Sequence, residues 1–160
     1  MKTYRRVALV ACFVLLVASL ASLASADTVK CTPVLNTAGK VIGYCFEVCN
    51  KLEDPCTEAG CIYDFHISIL GRCKAKQIKS LPPGWTGVIS ADQLGVGFAT
   101  PPPTGGEPNP IKPGQCKRFC IFTECSSEGC FSVNWWTTAR DGKVLDQGQT
   151  RCCPPPPPNG

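Results

Sequence analysis

The chain has 160 residues, of which 13 are Cys, 15 are Gly and 15 are Pro, and its formal net charge at neutral pH is +4. Three of its basic residues, and no acidic residue, lie within positions 1–26, so the charge of the remainder falls from +4 to +1. So small a charge does not indicate a nucleic-acid partner, and the remaining length suits one domain with a modest core.

The first 26 residues predict a signal peptide. A basic start at residues 2–6 is followed by an uncharged apolar run at 7–23 and by the small residues 24–26, so Asp27 is the expected mature N-terminus. An uncleaved anchor and a lipoprotein box ending at Cys12 are the alternatives. No second apolar segment of spanning length follows, so we expect a secreted or periplasmic product with no transmembrane segment in the mature chain.

Nine short segments follow from residue 30 onward, of which 73–81 is a weaker one, and they predict about eight strands. They lie at residues 30–35, 41–49, 61–70, 73–81, 84–90, 93–100, 115–123, 130–138 and 144–150. Gly39 and Asp141-Gly142 supply turns, and the loop 101–114, with six Pro, is expected to cross between sheets. No segment shows sustained helical periodicity. We therefore predict an all-β, disulfide-rich antiparallel β-sandwich over residues 27–153, followed by a polyproline tail at 154–160.

The cysteines are predicted to form disulfides. An even number, 12 of the 13, remains after the predicted leader, as expected of a fully paired exported chain. These are Cys31, Cys45, Cys49, Cys56, Cys61, Cys73, Cys116, Cys120, Cys125, Cys130, Cys152 and Cys153. The spacings lack the Cys-x2-Cys of zinc ribbons and redox centres, and the chain has one histidine. No metal and no cofactor are predicted.

Two cysteine blocks, "CFEVCNKLEDPCTEAGC" and "CKRFCIFTECSSEGC", share the same spacing and suggest a pairing. Strand alternation separates Cys45 from Cys49 by about 13 Å, too far for a bond between them. A nested scheme within each block gives two one-residue-offset hairpins, and a crossed scheme remains open. The nested pairs are Cys49–Cys56, Cys45–Cys61, Cys120–Cys125 and Cys116–Cys130.

Several segments carry a resemblance to a known fold. "PIKPGQCKRFCIFT" and "FSVNWWTTARDGKVLDQG" resemble the later strands of immunoglobulin-like or fibronectin-like domains, with a Pro-Gly corner, a Trp-bearing strand and an Asp-Gly hairpin. "YCFEVC", "YDFHISIL" and "PPGWTGV" are similar to the first strands of such domains in secreted proteins. The resemblance implies the fold class and indicates no specific family or activity.

One strand carries a set of residues that resembles a catalytic triad. Asp64, His66 and Ser68 alternate along it and share a face. Positions i and i+2 lie about 6.6 Å apart on a strand, too far for a relay of direct hydrogen bonds. The chain also lacks a Gly-x-Ser-x-Gly elbow. We therefore interpret the three residues as the polar face of an amphipathic strand.

Aromatic residues are the first candidates for binding. Trp135 and Trp136 are adjacent, so strand alternation predicts that Trp135 is buried and Trp136 at least partly exposed. An exposed Trp136 can stack on a sugar or a partner, and packing under a loop is the alternative. Trp85 is expected either to plug one end of the sandwich or to join Trp136 and Tyr63 in binding.

A basic stretch is the second candidate. Arg72, Lys74, Lys76 and Lys79 follow one another without an acidic residue. They suit anionic glycans or lipid headgroups, or else form a charged edge strand that blocks unwanted pairing.

The sequence thus predicts a secreted, non-enzymatic structural or interaction module with an unknown protein or glycan partner. A carbohydrate-binding module that uses exposed aromatics is the alternative, and a hydrolase is a more distant third.

Overall fold

The computed structural model of the protein describes residues 28–52, 59–71, 73–101, 105–125 and 129–156. These residues form nine β-strands and no helix, so none of their segments is a helix long and apolar enough to cross a membrane. The strands are β1 (Val29–Leu35), β2 (Val41–Cys49), β3 (Asp64–Leu70), β4 (Cys73–Ser80), β5 (Thr86–Ile89), β6 (Gly95–Ala99), β7 (Cys116–Cys125), β8 (Phe131–Thr138) and β9 (Val144–Cys152).

The strands form two antiparallel sheets, which confirms the predicted all-β sandwich. The four-stranded sheet has the order β1-β2-β7-β4, and the five-stranded sheet has the order β5-β6-β3-β8-β9. The chain passes from β6 in one sheet to β7 in the other, so the proline-rich connection at 101–114 joins the two sheets, as predicted.

The strand order is that of an immunoglobulin domain with one inserted hairpin. A constant-type immunoglobulin domain has strands A to G in two sheets, ABED and CFG. When β5 and β6 are set aside, the other strands taken in chain order give both sheets, with β1-β2-β7-β4 as ABED and β3-β8-β9 as CFG. The hairpin of β5 and β6 lies between the fourth and fifth of these strands in sequence and extends the CFG sheet beyond β3.

Phenylalanines from both sheets meet in the centre of the sandwich. Phe46 and Phe119 come from the four-stranded sheet, Phe65 and Phe98 come from the five-stranded sheet, and all four are at most 1% exposed. Ring centroids are 5.4 Å apart for Phe65 and Phe119, and 4.9 Å apart for Phe98 and Phe119. This cluster fixes which face of each strand points inward, and therefore which residues reach the outer surface of each sheet.

Five disulfides join pairs of described residues, and they show that the nested pairing was wrong. The bonds are Cys31–Cys152, Cys45–Cys120, Cys49–Cys116, Cys73–Cys125 and Cys130–Cys153. Cys61 is also disulfide-bonded. Cys56 and the expected leader with Cys12 lie outside the described residues.

The correction has a simple geometric cause. The two cysteine blocks are not separate hairpins, because β2 and β7 lie side by side as antiparallel neighbours. Cys45 is opposite Cys120 and Cys49 is opposite Cys116 in that ladder, and the Cα atoms of each pair are 4.0 Å apart. Equal Cys-x3-Cys spacing in two antiparallel strands is what allows both pairs to align.

Strand boundaries differ from the predicted ones mainly before β3. The predicted strand at 61–70 begins at Asp64, because Ile62 instead forms an isolated bridge with Ile111 of the loop before β7. At the end of the chain β9 continues to Cys152, two residues beyond the predicted strand, and it is held there by the disulfide to Cys31.

Candidate functional site

A row of five residues crosses the outer surface of the five-stranded sheet. The registers of the four strand pairs place Val88, Gly97, His66, Trp136 and Gln147 side by side, one from each of β5, β6, β3, β8 and β9. The three middle residues, Gly97, His66 and Trp136, point outward because the residues on either side of each one in sequence are buried.

Burial along β3 and β8 shows the alternation directly. Phe65 and Ile67, on either side of His66, are at most 1% exposed, whereas His66 is half-buried. Trp135 is 3% exposed and Trp136 is half-buried, as the sequence predicted. Trp136 thus lies on the outer surface of the sheet, one strand from the β9 edge, and is partly open to solvent.

His66 holds the indole of Trp136 in place. The two residues are directly opposite each other on β3 and β8, and their rings stack with centroids 5.0 Å apart and an interplanar angle of 8°. On the other side of His66, a Cβ added to Gly97 would lie 3.1 Å from Nδ1, so the glycine leaves the room that the imidazole occupies. Burial lowers the pKa of His66, although nearby Asp64 acts in the opposite direction. The imidazole is therefore largely neutral at pH 7.

A second row beside the first is made of small and polar residues. Gly95, Ser68, Asn134 and Gln149 lie side by side, and Gln149 Nε2 donates a hydrogen bond of 3.0 Å to Asn134 Oδ1. We call the two rows together the aromatic face. It consists of Val88, Gly97, His66, Trp136, Gln147, Gly95, Ser68, Asn134 and Gln149.

The aromatic face contains no Asp, Glu, Lys or Arg. The outer surface of the four-stranded sheet is different, because Lys30, Glu47 and Arg118 form a continuous row across β1, β2 and β7. The two outer surfaces of the sandwich therefore differ in their side chains. The five-stranded sheet presents aromatic and amide side chains, and the four-stranded sheet presents a row of alternating charges.

The aromatic face continues into a surface depression at one end of the sheet. The depression has a volume of about 830 Å³, and its lining includes Leu70, Ser132, Gln149 and Arg151. Ser132 is two residues before Asn134 on β8, and Gln149 belongs to both regions. An extended ligand that contacts Trp136 can therefore run along β8 and β9 into this depression.

Asp64, His66 and Ser68, the residues that resemble a catalytic triad, lie on the outer surface of the sheet. Two of them contact residues of the neighbouring strand β8. Asp64 accepts a 2.9 Å hydrogen bond from the Thr138 hydroxyl on β8, and the ring of His66 stacks on Trp136. These two contacts run across the sheet and not along β3, which agrees with the interpretation of the three residues as one polar strand face.

Two of the three aromatic binding candidates are buried, which corrects their assignment to a binding surface. Trp85 is 6% exposed, donates a 2.7 Å hydrogen bond from Nε1 to the Asn109 carbonyl, and packs its edge on Phe119. Tyr63 is 7% exposed because it shares the inward parity of Phe65. Trp85 thus closes part of the core, and Trp136 alone of the three remains open to a ligand.

The basic stretch lies on β4, which is an edge strand of the four-stranded sheet. Lys74 and Lys76 are exposed, and Lys76 forms an ion pair with Glu124 of β7. Lys79 lies 5.7 Å from the centre of the Phe122 ring. Arg72 lies outside the described residues. These cations are on the opposite sheet from Trp136, so the basic and aromatic candidates do not form one site.

Sequence reasoning missed most of the residues that surround Trp136. Gly97, Gln147 and Gln149 were not singled out, because nothing local marks them as neighbours of Trp136. Asn134 shares the strand parity of Trp136, so strand alternation alone places it on the same face. The others join the face only once β6 is placed beside β3 and β9 beside β8.

No protein-family model matches the chain, and no curated protein matches its sequence. Among solved structures it is similar to an uncharacterised protein from Nocardia farcinica with an immunoglobulin-like fold, at 20% identity and a TM-score of 0.46, over 81% of this chain and 88% of that one. It is also similar to the collagen-binding domain of a Staphylococcus aureus adhesin, at 8% identity and a TM-score of 0.41, over 81% of this chain and 99% of that one. The longer collagen adhesin from S. aureus is similar at 9% identity and a TM-score of 0.43, and 81% of this chain covers 49% of it.

Proposed function

We propose that this chain is an exported, non-enzymatic interaction module whose binding surface is the aromatic face. The observation that carries the proposal is Trp136, which is partly exposed on the outer surface of the five-stranded sheet and whose indole is stacked on His66 of the central strand. An aromatic residue that is already held in one orientation loses little conformational freedom when a partner binds it. Such a residue is a suitable anchor for a protein or a glycan partner.

Export is supported by two independent features. Residues 1–26 have the basic, apolar and small-residue segments of a signal peptide. The disulfides persist in oxidising compartments, which are the extracellular space and the periplasm. In this proposal residues 27–153 form the module, and residues 154–160 are a polyproline tail.

The non-enzymatic role is supported by the state of the polar residues on β3. His66 is packed between Trp136 and Gly97, and Asp64 is hydrogen-bonded by Thr138. A general base has to reach the proton that it removes, whereas the contacts of this imidazole are with an aromatic ring and a glycine.

The experiment is a binding assay on arrays of purified extracellular proteins and glycans. It compares the wild type with Trp136→Ala and with Lys74→Ala, which changes the opposite sheet. We expect a ligand that the wild type retains to lose about ten-fold or more in affinity with Trp136→Ala and to be unaffected by Lys74→Ala. The reverse pattern would assign binding to the basic stretch. Conversion of a ligand by the wild type would show an enzyme.

A further inference from the structure

The charge and shape of the aromatic face narrow the class of its ligand. We propose that it binds a neutral, extended oligosaccharide, an inference that rests on the proposed function and identifies its partner.

The aromatic face is uncharged, which favours a neutral ligand. The aromatic face carries no acidic or basic residue, and His66 is largely neutral at pH 7. The nearest charged residues in the adjacent rows are Asp64 and Arg151, which lie toward opposite ends of the sheet. A strongly anionic or cationic ligand would find no opposite charge within the two rows, and Asp64 and Arg151 at the two borders have opposite signs, so electrostatic complementarity favours a neutral ligand.

The apolar area of the aromatic face is small, which favours a sugar over a protein. Two glycines of β6, Gly95 and Gly97, stand between Val88 and the residues of β3, so the bulky apolar groups of this face are few. A stable protein interface buries about 1,200–2,000 Å² and has an apolar core at its centre. Val88 is 69% exposed, but Gly97 and His66 separate it from Trp136, so the apolar groups do not form such a core. The indole alone matches the apolar face of a single sugar ring.

Amide side chains near the indole can form hydrogen bonds with sugar hydroxyls. Asn134, Gln147 and Gln149 are exposed on the two strands beside the indole. Each primary amide offers two donors and one acceptor group, which suits the paired hydroxyls of a sugar. The depression lined by Ser132, Gln149 and Arg151 extends this polar track beyond Asn134, and its volume of about 830 Å³ leaves room for a ligand longer than one sugar unit.

The test titrates the full mature protein with cellohexaose, xylohexaose, mannohexaose and chitohexaose. Tryptophan emission and calorimetry are the readouts, since Trp85 and Trp135 are buried and a change in emission reports mainly on Trp136. We expect at least one of these sugars to bind. Its affinity should fall about ten-fold or more with Trp136→Ala and several-fold with Asn134→Ala. Lys74→Ala and added salt should leave it unchanged.

Two results overturn the inference in distinguishable ways. If none of the four sugars binds, but another ligand is retained through Trp136, the ligand class is wrong and the proposed binding face stands. If a sugar binds equally well to the wild type and to Trp136→Ala, both the ligand assignment and the binding face are wrong.

Discussion

The disulfide Cys31–Cys152 joins the two sheets covalently. It links β1 to β9 across 121 residues of sequence. With the other disulfides intact, however, a shorter covalent path connects the same two residues. It follows the chain from Cys31 to Cys45, passes through the Cys45–Cys120 disulfide, and follows the chain again from Cys120 to Cys130. The Cys130–Cys153 disulfide then leads to Cys153, which is adjacent to Cys152 in sequence.

The length of that path sets the expected loss of stability. The ring that Cys31–Cys152 closes contains about 25 residues along this path, and the chain-entropy relation then gives about 3–4 kcal/mol. A loop of 121 residues would give about 5 kcal/mol by the same relation. The variant Cys31→Ala with Cys152→Ala is preferable to serine, because Cys152 is fully buried and a hydroxyl there would need a partner.

Denaturant unfolding without reductant measures the loss. The matched control is the double variant Cys49→Ala with Cys116→Ala. The Cys45–Cys120 disulfide lies four residues away on each strand, so Cys49–Cys116 closes a ring of only about eight residues. The expected loss of unfolding free energy for this control is therefore about 2.5 kcal/mol. A loss near 5 kcal/mol for the first variant would mean that the shorter path does not exist, and no loss would refute the bond itself.

Three further predictions test the packing and the electrostatics. Trp135→Ala should cost about 3–5 kcal/mol of unfolding free energy, and Trp136→Ala about 1 kcal/mol or less, as measured by denaturant unfolding; equal costs would contradict the assigned strand faces. Gly43→Ala should cost about 2–3 kcal/mol in the same assay, because its Cβ would lie 2.1 Å from the Ile121 carbonyl oxygen, and a neutral result would refute that close approach. Because burial lowers the pKa of folded His66 below its ordinary value of 6.5, the unfolded chain takes up that proton first. The wild type should therefore lose stability as the pH falls below 6.5, more steeply than His66→Gln, and equal slopes would contradict the shift.

Local alternation allowed much of the five-stranded sheet to be predicted. Side chains on a strand alternate with a period of two, so the sequence alone separated Trp135 from Trp136 and His66 from Phe65. The same rule placed Tyr63 on the face of Phe65, which is the core face, and its candidacy for binding disagreed with that parity. Trp85 was ambiguous because its burial depends on a distant segment, whose Asn109 carbonyl accepts the indole hydrogen bond.

Pairing between distant strands is what local patterns do not contain. The nested disulfides assumed that each cysteine block folds on itself, whereas Cys45 and Cys120 are 75 residues apart in sequence. The packing of His66 against Gly97 could not be predicted for the same reason, because the two residues become neighbours only through the pairing of β3 with β6. The repeated Cys-x3-Cys spacing was the one local trace of these long-range contacts.

Chemical-shift mapping tests the location of the binding surface most directly. The isotope-labelled protein is titrated with the ligand that the arrays or the oligosaccharide panel identify, and backbone amide and indole N–H signals are followed. We expect the largest shifts at the Trp136 indole and at the amides of Asn134, Gln149 and Gly97, with the row of Lys30, Glu47 and Arg118 unchanged. Shifts confined to the four-stranded sheet, with the Trp136 indole unmoved, would contradict the assignment of the aromatic face as the binding surface.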